Sequence, residues 1–406
     1  MAGPLAGVRV LDFTHLIAGP YASKLFADYG ADVIKVEPPG GEQGRNLRPF
    51  QGDDPHPEKS GVFFVLNTNK RSVVLDLKTP EGRQAALDLA ASADLIIENF
   101  RPGAMESLGL GYEDFKAVRE DALLVSLTNF GQTGPWRDFK GSETILYGMG
   151  GDMYHQGIEG RSPLKQGGTV TLIQSGGMTA AAAMAALRVK TKHGKGQWVD
   201  LSIYEMQSAS NDRRMQTYMV YQFANFIHPR TPAGGTMLAS GVFPCADGYV
   251  EIYGDPLKWD RLVRMIEGPP SLNDERWKAP GARSNLELKE EFDGYWYPWL
   301  LSHTKREVWE ACQAEGILSG PLNTAEDLLN DPVFAERGFW VEVEHAVMGK
   351  VKMPGRPFIM YDTPWELRRP APLLGEHTAD ILRSWAGIEL VRAAGPDSVP
   401  SLQEGR

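Results

Sequence analysis

The first 130 residues of this chain alternate short apolar runs with helical segments, and that alternation is its strongest constraint on fold. Val8–Phe13 reads as a strand, Tyr21–Tyr29 as a helix and Ala31–Glu37 as a second strand. Ser72–Leu77 supplies a third strand, followed by a helix from Pro80 to Ala91 whose proline suits a first turn. Asp94–Phe100 and Leu123–Asn129 give two more strands, with a helix near Tyr112–Arg119 between them. Strands alternating with helices predict a mostly parallel, doubly wound α/β sheet. Ligands of such sheets lie beyond the carboxyl ends of the strands. Here those ends carry Thr14–Pro20, Pro38–Gly44, Asn99–Gly103 and Asn129–Pro135.

Further along, Gly131–Gly168 is glycine-rich and aperiodic, and reads as loops over a site. Met178–Leu187 reads as a closely packed helix of small residues, and Asp200–Phe223 as one long helix leaving the first domain. A new unit follows, with a strand at Gly248–Tyr253 and helices around Pro256–Ile266, Glu287–Ser302 and Lys305–Gln313. Pro332–Asp362 turns strand-like again, and Thr378–Ala386 closes the pattern as a helix. The polar tail Ala394–Arg406 is expected to fray. The expected domains are therefore 1–225 with 332–406, and 226–331 between them.

Composition narrows the function. The 406 residues are 42% hydrophobic and 23% charged, which excludes a disordered or fibrous chain. A net charge of −10 argues against a surface that tracks nucleic acid. Two cysteines, Cys245 and Cys312, form no CxxC pair, and the eight histidines show no ligand spacing, so neither a metal site nor a disulfide framework is expected. Met1–Val10 lacks a secretory pattern, and the small-apolar run Thr179–Leu187 is about half a bilayer span. A cytoplasmic protein with no membrane association is the expectation. No GxGxxG follows the first strand, where the turn reads Thr14-His15-Leu16-Ile17-Ala18-Gly19-Pro20, which disfavours a nicotinamide enzyme.

Several segments gain meaning as an ordered set: Asn67-Thr68-Asn69-Lys70-Arg71-Ser72, Leu75-Asp76-Leu77-Lys78, Glu98-Asn99-Phe100-Arg101-Pro102-Gly103 and Leu108-Gly109-Leu110-Gly111-Tyr112. Phe130-Gly131-Gln132-Thr133-Gly134-Pro135, Thr191–Gln197 and Leu374-Gly375-Glu376-His377-Thr378 continue it. From about Leu5 to Leu382 the chain strongly resembles the class III CoA-transferases, the CaiB/BaiF family. The resemblance implies a Rossmann-like large domain built from both chain ends, a smaller α+β domain and an interlocked dimer. CoA and acyl-CoA are implied as substrates, with no covalently bound cofactor. By matching positions, CoA contacts fall on His15, Leu16, Ala18, Leu75, Lys78, Asn99 and Phe100, with Lys140 nearby. Strand capping and core packing are the plain structural alternatives for Asn99 and Phe100. Ser107 stands where many members carry an arginine, which puts one phosphate contact in doubt.

The family mechanism requires an aspartate that attacks the acyl-CoA thioester, and here the resemblance breaks. Counting back without gaps from Gly196-Gln197 places that residue at Leu172, and no Asp or Glu occurs between Glu159 and Asp200. Glu143 matches an acidic position near the family's active site and is a weak substitute nucleophile; Asp152 is weaker. The racemase branch uses a histidine–aspartate pair, and the matching Ser142 and Leu172 cannot move a proton. The expectation is the non-catalytic subunit of a heteromeric transferase, partnered by a homologous chain that bears the aspartate. Such a transferase moves CoA from a donor such as succinyl-CoA to an acid, benzylsuccinate being the family example. A self-sufficient enzyme using Glu143 and a CoA-binding regulator are the alternatives. Arg45, Arg161 and Lys165 are candidates to pair with a second carboxylate of the acid, surface solvation being the alternative.

Overall fold

A computed structural model of the chain describes residues 3–209, 213–227, 229–230, 238–388, 390–391 and 401–402. The alternating N-terminal segments form β1 (Arg9–Asp12), β2 (Asp32–Glu37), β3 (Arg71–Val74), β4 (Leu95–Glu98) and β5 (Leu124–Thr128), joined later by β6 (Trp198–Ser202). These six pair in parallel in the order β3-β2-β1-β4-β5-β6. That is the order of a dinucleotide-binding sheet, and it reverses between β1 and β4. Strands β4 and β5 are buried throughout, in keeping with their mostly apolar sequences.

Alternation along each strand feeds two cores. Leu11, Ile34 and Val73 pack with α3 (Pro80–Ala91), with Phe115 and with Ile381 and Trp385 of the closing segment Thr378–Ala386. Val10, Val33 and Leu95 face the other way, onto Ala22 and Phe26 of α1 (Ala18–Asp28) and Ala183 and Leu187 of the long helix Val170–His193. Between these come α2 (Gly61–Asn67), capped by Ser60, α4 (Ala104–Ser107) and α5 (Tyr112–Val118). Then follow α6 (Glu143–Met149), α7 (Asp152–His155), α8 (Val170–His193), α9 (Ile203–Ser208) and α10 (Arg213–Ala224).

Three sequence expectations change here. Gly131–Gly168 holds α6 and α7 rather than loops alone. The small-residue helix has 24 residues, not ten, because its two glycines do not break it. Gly176 lies so close to α1 that a Cβ there would sit 2.5 Å from the Ala18 carbonyl oxygen. At that length α8 is apolar enough to cross a bilayer by composition, the one such helix among the described residues, so the half-span reading falls. Asp200–Phe223 is not a single helix: Trp198–Ser202 completes the sheet, and α9 and α10 follow. The alternation of Val199 and Leu201 with polar neighbours carries that strand, and the aspartate inside it is used locally. Both Asp200 carboxylate oxygens accept the Gln132 N–H, at 3.0 and 2.9 Å.

The C-terminal return explains the motif Leu374–Thr378. Strand β3 lies at the edge of the sheet, where open backbone groups invite unwanted pairing. His377 N–H donates to Ser72 O (3.1 Å), the Val74 N–H to Thr378 Oγ1 (3.1 Å) and the Gly375 N–H to Ser72 Oγ (2.9 Å). The glycine is required: its φ is +68°, and a Cβ would lie 3.0 Å from Val74 Cγ2. Asn69 fastens the segment just before it, accepting from the N–H groups of Arg368 (2.7 Å) and Arg369 (3.2 Å).

The chain divides into two compact units, Met1–Tyr154 with Lys165–Ile227 and Arg337–Arg406, and His155–Leu164 with His228–Glu336. The second unit contains an antiparallel sheet, β7 (Gly241–Cys245), β8 (Gly248–Tyr253) and β9 (Leu318–Pro321), over an aromatic core of Trp259, Trp277, Phe292 and Trp296. In the stretch expected to be strand-like, Pro332–Glu336 is helical, and a hairpin of β10 (Trp340–His345) and β11 (Gly349–Pro354) follows in the first unit. The tail Ala394–Arg406 lies outside the described residues except Ser401–Leu402, which pairs with Leu390–Val391.

Candidate active site

The crevice where strand order reverses is held by one side chain. Asn99, just past β4, accepts the His15 N–H at Oδ1 (2.8 Å) and donates through Nδ2 to the His15 carbonyl (3.0 Å). This pair of bonds ties the ends of β1 and β4. The Phe100 ring meets the His15 imidazole edge-on at 4.8 Å. Leu16 is exposed and left-handed, with φ +69°, and its N–H donates to Glu42 Oε2 (3.0 Å). Ala18 opens α1 and is buried. His15, Leu16, Asn99 and Phe100 therefore lie together just past the carboxyl ends of β1 and β4, with Ala18 following at the start of α1. Leu75, buried, and Lys78, exposed, follow the end of β3 at the same end of the sheet. Lys140 is exposed three residues before α6, and Ser107 turns its hydroxyl back to the Ala104 carbonyl (2.7 Å).

Beneath the crevice lies a buried set of charges. Asp12 accepts from Thr14 N–H (2.8 Å), Ser23 Oγ (2.6 Å) and Lys70 Nζ (3.0 Å). Burial works against its charge, yet Lys35, Lys70 and the two hydroxyls hold the carboxyl well below the usual range. Burial and the nearby Lys35 bring Lys70 down to about 8. Lys35 donates to the Thr14 carbonyl (2.8 Å) and lies 3.6 Å from Glu42, so Asp12, Glu42 and Glu37 keep it charged against its burial. Arg45, expected in a loop to greet a substrate carboxylate, is fully buried instead. Its guanidinium bonds Glu37 twice (2.7 and 2.8 Å) and Glu58 once (2.7 Å), and stacks 3.8 Å over the Phe63 ring. Those pairings satisfy its charge internally and remove it as a substrate ligand.

The catalytic side is different. Glu143 opens α6 and lies 2.9 Å from Lys165 Nζ. That ammonium also donates to the carbonyls of Gln166 (2.8 Å) and Gly168 (2.6 Å), so it holds the segment leading into α8. Leu172, in the first turn of α8, is partly buried against the cluster of Ala18, Leu127, Leu146, Ile203 and Met206. An apolar side chain thus adjoins the same Ala18 that belongs to the crevice. Asp152 is buried and accepts the Tyr147 hydroxyl, a structural pairing. Ser142 precedes α6 and is exposed, and Arg161 is exposed within the second unit. Among the described residues no group of His, Cys, Asp or Glu could hold a metal ion.

Sequence reasoning missed Glu98 as an individual. It ends β4 with 3% of its surface exposed, and its carboxylate accepts the Phe100 N–H (2.7 Å). Burial, with smaller contributions from Glu106 and Asp200, pushes its carboxyl up to about 7 despite a bond from Ser126. The signal was present: a charged residue closing an otherwise apolar strand, Leu95–Glu98.

The sequence model of CoA-transferase family III matches residues 5–378. The chain belongs to that family. It is 34% identical over 406 residues to a succinate–glutarate CoA-transferase of Agrobacterium fabrum, covering 97% of this chain and 98% of that protein. It is 31% identical to the succinyl-CoA:(R)-benzylsuccinate CoA-transferase subunit BbsE of Thauera aromatica, covering 92% of each. A CAIB/BAIF family protein from Brucella suis has the same fold, with a TM-score of 0.84, 29% identity, and 94% of this chain and 99% of that one covered. CoA thioesters are accordingly its substrates.

Proposed function

We propose that this chain is the non-catalytic subunit of a heteromeric class III CoA-transferase, acting with a homologous partner that carries the aspartate. One observation carries the reading: the position assigned to the nucleophile is Leu172, and a hydrocarbon side chain cannot form an anhydride. Glu143, the weak substitute, pairs with Lys165 at 2.9 Å, which favours a structural role for it. In the proposed pair, the partner's aspartate attacks the thioester carbonyl, the C–S bond breaks, and CoA leaves as its thiolate. The thiolate then attacks the mixed anhydride, releasing the donor acid and leaving an enzyme thioester, which the acceptor acid consumes in reverse order. This chain contributes the crevice of His15, Leu16, Ala18, Asn99 and Phe100, with Leu75, Lys78 and Lys140 as further CoA contacts. The two subunits interlock and work in the cytoplasm. Succinyl-CoA is the donor, supported by the name of the Thauera relative and by the succinate in the name of the Agrobacterium one, and benzylsuccinate is one acceptor of suitable class.

Native mass spectrometry of the complex from its source, followed by a succinyl-CoA transfer assay, tests this directly. The expected result is a one-to-one pair that is active only together. An active homodimer that Glu143→Gln abolishes would assign the chemistry to Glu143. Tight CoA binding without turnover in any pairing would leave a regulator.

A further inference from the structure

A second charged cavity lies at the other end of the sheet from His15 and Asn99. It measures about 500 Å³ and is lined by Arg9, Asp32, Arg71, Arg368, Arg369, His377, Asp380, Ser384 and Trp385. Arg9, Asp32 and Arg71 are the first residues of β1, β2 and β3, so the cavity sits at the amino ends of the strands. Four arginines and two aspartates line it, an excess of two positive charges in a chain whose net charge is −10. Such a concentration in one shallow, solvent-open depression is the reverse of what the overall composition supplies.

The four guanidinium groups are not equivalently satisfied. Arg71 bonds Asp32 twice (3.0 and 2.5 Å) and Asp380 once (3.0 Å), so both acids of the cavity are used by one arginine. Arg368 donates to the carbonyls of Ala27 and Ala31, at 2.5 and 3.1 Å. Arg9 lies 5.1 Å over the Trp385 ring, with no acid on its guanidinium among the described residues. Arg369 bonds Asn69 through its backbone, while its half-buried side chain sits beside Arg71 and Arg368. Burial, Arg71 and Arg368 lower the Arg369 pKa, with Asp32 and Glu376 acting against them. Burial lowers the His377 pKa, with Glu376 and Asp380 opposing it and Arg369 and Arg71 adding to it.

We infer that this cavity binds a small, multiply charged oxyanion of the phosphate type, held by Arg369 and Arg9 with His377 and Ser384 beside them. Guanidinium forks match tetrahedral oxyanions through paired hydrogen bonds, and a dianion offsets the excess charge of the lining. The volume exceeds what free phosphate needs, so a phosphomonoester of a small polar molecule also fits. The segment that supplies Arg368, Arg369 and His377 is the one that seals edge strand β3, so occupancy also fastens that seam.

Isothermal titration of the full chain, or of its complex, with inorganic phosphate and with glycerol phosphate at constant ionic strength tests the inference. Saturable binding is expected at submillimolar to low-millimolar concentration, weakened at least tenfold by Arg369→Gln. Ser384→Glu, which places a carboxylate at an exposed position of the lining, should have the same effect without touching the packed core. The two ligands separate free phosphate from a phosphomonoester as the preferred form. Binding unchanged in both variants, or abolished instead by Lys78→Ala, would put the anion at the other end of the sheet and overturn the inference. So would the absence of saturation at about 20 mM.

Discussion

The crevice end of β1, β2 and β4 and the first turn of α8 adjoin at Ala18, yet they are built on opposite principles. At the strand ends, charge is buried and compensated: Asp12, Lys35, Glu37, Glu42, Arg45 and Lys70 lie at or near zero exposure, linked by short bonds. At the helix, the position assigned to a reactive carboxylate carries a leucine packed among apolar neighbours, and the nearby Glu143 is tied to Lys165. Charges of the first kind fix loop geometry, because each partner's removal leaves another ion buried alone. The second region carries no such obligation, so a single substitution can delete its chemistry without loosening the fold. The strand-end geometry is therefore independent of which residue stands at position 172.

Leu172→Asp should break that contrast most completely. A carboxylate in the first turn of α8 is favoured by the helix N-terminus, by about 0.3–1 kcal/mol, which partly offsets the lost apolar contact. The expected outcome is the appearance of succinyl-CoA transfer, or of a hydroxylamine-trappable acyl-enzyme, with neither expected from the parent chain alone. A Leu172→Asp variant that binds CoA yet stays inert would mean that the acid-binding side has also been lost.

Lys70→Met probes the other region. Deleting the ammonium leaves Asp12 with Lys35 as its remaining buried cation and removes bonds to Ser23 (2.8 Å), Asn67 (2.8 Å) and the Pro20 carbonyl (2.9 Å). Breaking a buried pair in this way costs about 3–5 kcal/mol. A denaturant melt should show that loss, whereas Leu172→Asp should change stability far less. Equal losses in the two variants would erase the distinction between scaffold and chemistry.

Much of this was legible in the sequence, and what was hidden has a common cause. Strand positions, the doubly wound class and the strand-end crevice follow from period and punctuation, which are local. The buried charges were not readable as such, because burial of Arg45 depends on Glu37, Glu58 and Pro372, up to 327 positions away. The same holds for Leu374–Thr378, whose role at the edge of β3 emerges only once residue 72 lies beside residue 377. β6 was read as the start of a helix because its apolar residues are few and its outer positions exposed. The leucine at position 172 was visible because it is a matter of residue identity rather than of contact.

The smallest of these effects concerns Glu98, which belongs to the crevice yet lacks the cation that each carboxylate beneath it has. Its carboxyl is pushed up to about 7, above its ordinary 4.5, chiefly by burial. A raised pKa means that the folded chain holds this proton more tightly than the unfolded chain does. Its contribution to stability is therefore full below pH 4.5 and fades as pH rises through about 7. Glu98→Gln keeps an acceptor for the Phe100 N–H and removes the titration. At pH 8 the variant should be more stable than the parent by about 2–3 kcal/mol, the upper bound set by the width of the shift, and the two should converge near pH 5. Melting curves at both values measure this. A gap independent of pH would show that Glu98 is ionised in the folded chain, with Ser126 and the backbone supplying what Lys70 supplies to Asp12.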